Sequence, residues 1–230
     1  MGKRRKKDDE TLVDIVEKKE QAQELYNDNQ NLILGGLLLF VLLAGGIFAW
    51  NNFYKKPRQE NAVKEMSQAQ FQFDRDSFAL ALDNPGGGNP GFLDIIDQYG
   101  GTAAANLSHY YAGVCYMNLG GAQNIDAAIS YLEDFDDEGT VLASTKNGAL
   151  GDCYSEKGDL GQAESYYKKA ISNGDNEFLS AYYLKKLGLM YQSQGKMTEA
   201  KSMFEQIRDK YPFSPDGNGI EKYISRVSGQ

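Results

Sequence analysis

Hydrophobic and polar positions divide this chain into two regimes. Residues 32–50, LILGGLLLFVLLAGGIFAW, are nineteen consecutive positions without a charge. At 1.5 Å rise per residue such a helix is about 28 Å long, close to the hydrocarbon thickness of a bilayer. Asn31 precedes the run and Asn51 and Asn52 follow it, while Trp50, Phe53 and Tyr54 stand where interfacial aromatic residues are expected. The pattern predicts one membrane span, residues 32–54. A cleaved signal peptide is the competing reading. The 31 residues before the run are too many for its n-region, and the run exceeds the usual ~7–15 apolar residues. No cysteine follows the run closely, which disfavours a lipoprotein anchor.

Beyond the span the pattern turns helical, and no stretch alternates as a half-buried strand does. Residues 59–82 carry Ala62, Met66, Ala69, Phe73, Phe78, Ala79 and Leu82, which predicts one long helix. DNPGGGNPG at 83–91 breaks it. A phosphate cradle would need a strand before such glycines and a helix after them. Without the strand, 83–91 reads as a loop. A short helix over 92–99 follows, ended by Gly100 and Gly101, and Thr102 opens the next one.

From there glycine, tyrosine and alanine recur on a period of about 37 residues, the order expected of helix-pair arrays. The last copy runs Leu187, Gly188, Tyr191, Gly195, Ala200, Phe204, Pro212, and the one before Leu150, Gly151, Tyr154, Gly158, Ala163, Tyr167, Ala170. A less regular copy shows Gly113, Tyr116, Gly120, Ala128, Leu132 and Phe135, with extra residues in its turn. Gly151 and Gly188 are expected where two helices cross closely, Ala163 and Ala200 opposite them, with Tyr154, Tyr167, Tyr191 and Phe204 filling the space alongside. Gly158 and Gly195 end first helices, since glycine takes the left-handed C-cap conformation without penalty. Pro212 stops the final second helix, and Ser214 beyond it is expected at the surface. The fold class is all-α: a transmembrane helix, then an α-solenoid of helix pairs. The expected organisation is a tail over 1–31, the span over 32–54, a linker and N-terminal helical unit over 55–101, and about three repeats with a capping helix over 102–230.

Charge changes the picture at three points. The net charge of −8 and pI near 4.8, with no basic stripe, argue against nucleic acid. Lys3, Arg4, Arg5, Lys6, Lys7, Lys18 and Lys19 precede the span, and Lys55, Lys56, Arg58 and Lys64 follow it. Immediately beside the membrane this bias opposes a cytoplasmic N-terminus. Long domains translocate largely regardless of their own charge, so the N-terminal cluster is read as cytoplasmic and the repeats as outside. The tail itself, basic then acidic, carries only a thin stripe of Leu12, Ile15, Val16 and Ala22, and is read as mostly disordered or as a helix induced by a partner. Within the span, Gly45 and Ala49 form a small-xxx-small pair open to a second helix, though glycine is also an ordinary membrane-helix residue.

Candidate chemistry is sparse. Cys115 and Cys153 fall at one repeat position that Met190 occupies in the third copy, which favours buried free thiols over a disulfide. His109 is the only neutral-pH base, on a predicted helix beside Ser108, whose side chain points elsewhere. One histidine and two dispersed cysteines cannot supply a zinc site. Glu133, Asp134, Asp136, Asp137 and Glu138 lack the alternating ligands and central glycine of a calcium loop. Neither catalysis, a metal, a cofactor nor a small-molecule substrate is expected.

The leucine–glycine, tyrosine, glycine, alanine, aromatic, proline order resembles the tetratricopeptide repeat. That resemblance places the first helix of each pair on a concave face holding Tyr110, Tyr111, Met117 and Asn118, then Asp152 and Glu156, then Tyr182, Lys185, Lys186 and Gln192. Packing between repeats is the competing role for several of these. A basic tail, one span, repeats and the run LDIIDQYGGTAAANLSHYYAG at 93–113 together resemble the YfgM-like ancillary subunits of the bacterial Sec translocon. The triple-glycine loop and the long tail depart from that family. The resemblance implies an inner-membrane protein with a periplasmic repeat domain, whose partners are the SecYEG translocon and a membrane-anchored periplasmic chaperone of the peptidyl-prolyl isomerase type. A structural or regulatory subunit of another envelope complex, acting through the tail, is the alternative.

Overall fold

The computed structural model describes residues 18, 19, 23, 26–138, 142–172 and 176–229. The expectations for the tail therefore fall almost wholly outside the described residues. The chain divides into two units, Met1–Pro57 and Arg58–Gln230.

In the first unit, α1 (Gln30–Ala49) is one helix, long and apolar enough to cross a membrane. Its Leu37, Leu38, Leu39 and Phe40 are 59–70% exposed, so the apolar surface covers every side of the helix. A π-helical segment, Trp50–Lys55, follows, in which Trp50 stacks on Tyr54 with ring centroids 4.3 Å apart.

The second unit is a stack of helices with no strand among the described residues. Helix α2 (Lys56–Phe73) buries Ala62, Met66 and Ala69, one stripe at helical spacing. The single helix expected over 59–82 is in fact two, because the chain turns at 74–77 before α3 (Phe78–Asp83). Asp76 there takes φ 56°, the only left-handed non-glycine among the described residues. Aspartate tolerates that region. The turn swings Phe78 edge-on against Phe73, 5.7 Å between centroids, so the apolar series continues across a chain reversal instead of along one helix.

The loop 84–91 leads to α4 (Phe92–Tyr99) through Gly91, where a Cβ would lie 2.1 Å from the Leu82 carbonyl oxygen. Only glycine permits that approach. Three helix pairs follow among the described residues: α5 (Ala103–Leu119) with α6 (Ala122–Asp134), α7 (Ala143–Glu156) with α8 (Leu160–Ser172), and α9 (Glu177–Ser193) with α10 (Met197–Lys210). The Thr102 hydroxyl caps α5 by accepting from the Ala105 amide at 3.1 Å. The Asn176 side chain accepts from Phe178 and Leu179 at the start of α9.

One contact recurs in each pair. A Cβ on Gly113 would meet the Leu132 side chain at 2.6 Å, on Gly151 the Tyr167 ring at 2.7 Å, and on Gly188 the Phe204 ring at 2.5 Å. Ala128, Ala163 and Ala200 are fully buried on the second helices. Finally α11 (Glu221–Ser228) lays Ile224 and Val227, with Ile220 just before it, into the cluster that holds Phe204 and Ile207. Ser214 is buried, not surface-exposed. Its hydroxyl donates to the Tyr211 carbonyl at 2.8 Å and accepts from the Gly217 amide at 3.0 Å, while neighbouring Phe213 is 94% exposed.

Candidate protein-interaction face

The first helices of the three pairs, α5, α7 and α9, bring some of the ten singled-out residues together and draw others into the core. A Cβ on Gly148 would meet the Tyr183 ring, and Asp152 meets Lys186. Four residues along α7 thus match three along α9, so the two helices run parallel and present one continuous face.

Asp152, Tyr182 and Lys186 form its centre. Asp152 accepts from Lys186 Nζ and from the Tyr167 hydroxyl, both at 2.7 Å. Lys186 Nζ also lies 4.9 Å from the centre of the Tyr182 ring. Burial opposes the charge on Lys186, but its bond to Asp152 prevails and holds its pKa above the ordinary lysine value. Burial first, and then the Asp152 charge, push the Tyr167 and Tyr183 phenols well above the usual tyrosine range. Lys185 turns to the far end of the stack, donating to Asp216 at 2.7 Å. Both lysines of this face are therefore neutralised within the protein.

The α5 residues divide differently. Tyr111 stacks on Phe92, centroids 4.9 Å apart and rings nearly parallel, with Phe73 edge-on, against the first core cluster. Tyr110 is half-buried against Phe135, and Met117 packs into the middle cluster. All three are half-buried and pack against neighbouring helices. Asn118 is exposed and bonds its own helix at the Val114 carbonyl. Gln192 is half-buried. Glu156 is exposed and lines a cavity of about 320 Å³ with Ala122, Ile125, Asp126 and Lys157. On α1, Gly45 and Ala49 are exposed, and nothing lies within 4 Å of a Cβ built on Gly45.

Leu189, 38% exposed on the same side of α9 as Tyr182 and Gln192, was not among those ten residues. The signal was present: Tyr182, Lys185, Leu189 and Gln192 follow helical spacing on one face.

Outside the face, Ser108, the cysteines and the acidic run have structural roles, while His109 Nδ1 is buried without a hydrogen-bond partner among the described residues. The Ser108 hydroxyl donates to the Ala104 carbonyl at 2.9 Å, turned away from His109. Burial lowers the His109 pKa, with the Asp134 charge acting against it. Cys115 and Cys153 are fully buried free thiols whose pKa burial pushes up to about 12. In the acidic run, Asp137 pairs with Lys146 at 3.0 Å and Asp136 exchanges bonds with Asn106.

Family models of the tetratricopeptide repeat match residues 147–173 and 184–214. These are the second and third helix pairs, and the first pair repeats their glycine-on-side-chain contact. The chain therefore carries tetratricopeptide repeats in a helical stack, the architecture of a protein–protein interaction module. No curated protein and no solved structure matches the chain.

Proposed function

We propose that this chain is a membrane-tethered interaction module, an ancillary subunit of the bacterial Sec machinery that engages a chaperone or an emerging protein at the periplasmic surface. One observation carries the tethered reading: a helix apolar on every side, Gln30–Ala49, precedes a repeat unit whose own core is closed. Nothing in the described residues covers those leucines, and a bilayer would. Tethering raises the effective concentration of a partner held at the same membrane, so modest affinity in the groove suffices. On this reading the N-terminus is cytoplasmic, residues 32–54 span the inner membrane, and the repeats face the periplasm. SecYEG and a membrane-anchored chaperone are the partners, and Tyr182, Lys186 and Glu156 lie on the surface that meets them.

The test has two parts. Phe213→Cys is introduced into full-length protein carrying Cys115→Ala and Cys153→Ala, and intact spheroplasts are treated with a membrane-impermeant maleimide. Labelling in intact spheroplasts is expected. Labelling only after lysis would place the repeats in the cytoplasm and defeat the Sec reading. Purification in mild detergent is expected to recover translocon and chaperone, and recovery of neither would leave only an interaction module of other purpose.

A further inference from the structure

From Arg58 onward the unit carries 24 acidic and 15 basic residues, a net charge of −9. Three of its cavities share that sign. One is lined by Asp126, Glu156 and Lys157, a second by Asp134 and Asp136, a third by Glu65 and Asp94. Lys157, the one lysine or arginine among those linings, is already paired with Asp126. On the groove, Lys185 and Lys186 are likewise satisfied by Asp216 and Asp152. Glu156 has no ion pair among the described residues. Since Asp152 on α7 lies level with Lys186 on α9, Glu156, one turn further along α7, lies level with Leu189 to Ser193. Exposed Tyr182 and Leu189 thus lead along α9 towards Glu156, which lines a cavity together with Ala122 and Ile125.

We infer that this groove docks an extended, cationic segment of a protein partner, with apolar side chains on Tyr182 and Leu189 and one lysine or arginine in the Glu156 cavity. The inference rests on the interaction-module reading above. A long basic side chain fits both parts of the cavity, because its methylene stem lies on Ala122 and Ile125 while its charged head meets the carboxylate. An acidic segment would meet an uncompensated like charge there, which supplies selectivity as well as attraction. The same sign disfavours an anionic lipid surface as the occupant.

The probe is a fluorescent ten-residue peptide, GSKLGSKLGS, with a second peptide in which glutamate replaces both lysines. Full-length protein in nanodiscs of phosphatidylcholine alone is titrated, with empty discs as the blank. Saturable binding of the lysine peptide, weakened by added salt, and none of the glutamate peptide are expected. Glu156→Gln should weaken the lysine peptide roughly fivefold, the scale of one partly exposed ion pair, without shifting the urea midpoint. Tyr182→Ala should weaken it independently. Equal binding of both peptides, no binding of the lysine peptide, or a Glu156→Gln variant that binds as tightly as the parent would each overturn the inference. If Tyr182→Ala alone weakens binding, the groove remains an interaction face and only its cationic preference fails.

Discussion

A glycine on the first helix of each pair stands where its own side chain would occupy space already taken by a residue of the second helix. Gly188→Ala would set a methyl 2.5 Å from the fully buried Phe204 ring, so either the ring or the helix has to shift. The expected cost is roughly 1–3 kcal/mol, the usual range for overpacking. Gly161→Ala is the control, because its Cβ would meet nothing closer than 3.7 Å on a helix, and it should be neutral or stabilising by up to about 0.5–1 kcal/mol. Urea midpoints of the two variants should move in opposite directions or by clearly unequal amounts. The thiols give a second residue-scale expectation. Cys115 and Cys153 titrate near 12 in the fold, against about 8.5 in an unfolded chain. Below that unfolded value both states hold the proton and stability is flat. Above it only the folded state does, so stability falls as pH rises from about 9 towards 12. Urea midpoints at a series of alkaline pH values should decline, and less steeply once both cysteines are alanine. What sequence made legible at this scale were the residues whose type is dictated by space, the close-crossing glycines and the cysteines equivalent to Met190. Tyr110 and Tyr111 were not legible as packing residues, because a tyrosine serves a groove and an interhelical gap by the same chemistry, and only their neighbours decide: Phe135 for Tyr110, Phe73 and Phe92 for Tyr111.

Element boundaries follow from local signals where a cap or a glycine is present. Gly158 and Gly195 end α7 and α9 at φ 78° and 74°, and the following residue opens the next helix. In the second pair that residue is Asp159, whose carboxylate accepts from the Gln162 amide at 3.1 Å. In the third it is Lys196, which makes no capping bond. Asp159→Ala should therefore cost about 1 kcal/mol, and Lys196→Asp should add about 0.5–1 kcal/mol by satisfying a free amide. Lys196→Asp also loses the lysine's approach to the Tyr191 ring, 5.6 Å from its centroid, so the gain should sit at the lower end. Thermal unfolding of the two variants checks both signs. The break at 74–77 was harder to read. It contains neither glycine nor proline, and its cue was the five-residue step from Phe73 to Phe78, which no single helical face can accommodate. A reading that tolerated that step merged α2 and α3.

At the scale of the whole unit, a stack of repeats must close its two ends, because each helix pair leaves an apolar side for its neighbour. At the start, α2 and α4 supply Ala62, Met66, Phe92 and Ile95 to the cluster that holds Cys115 of α5. At the end, Ile220, Ile224 and Val227 cover Phe204 and Ile207. Neither closure uses a residue before Arg58, so the fragment 58–230 should fold without the membrane helix, with the helical circular dichroism and urea midpoint of the full chain's repeat unit. The terminal helix invites the sharper experiment. Truncation after residue 218 removes three aliphatic side chains, each contributing about 1.5–3 kcal/mol through burial, a large share of the ~5–15 kcal/mol that holds an ordinary domain. It also leaves the Phe204 and Ile207 side of α10 open to water. The truncated chain should unfold at markedly lower urea and self-associate in sedimentation, because an uncovered repeat end seeks another apolar surface. If it stays monomeric with an unchanged midpoint, α11 is not the cap and the stack must end at α10.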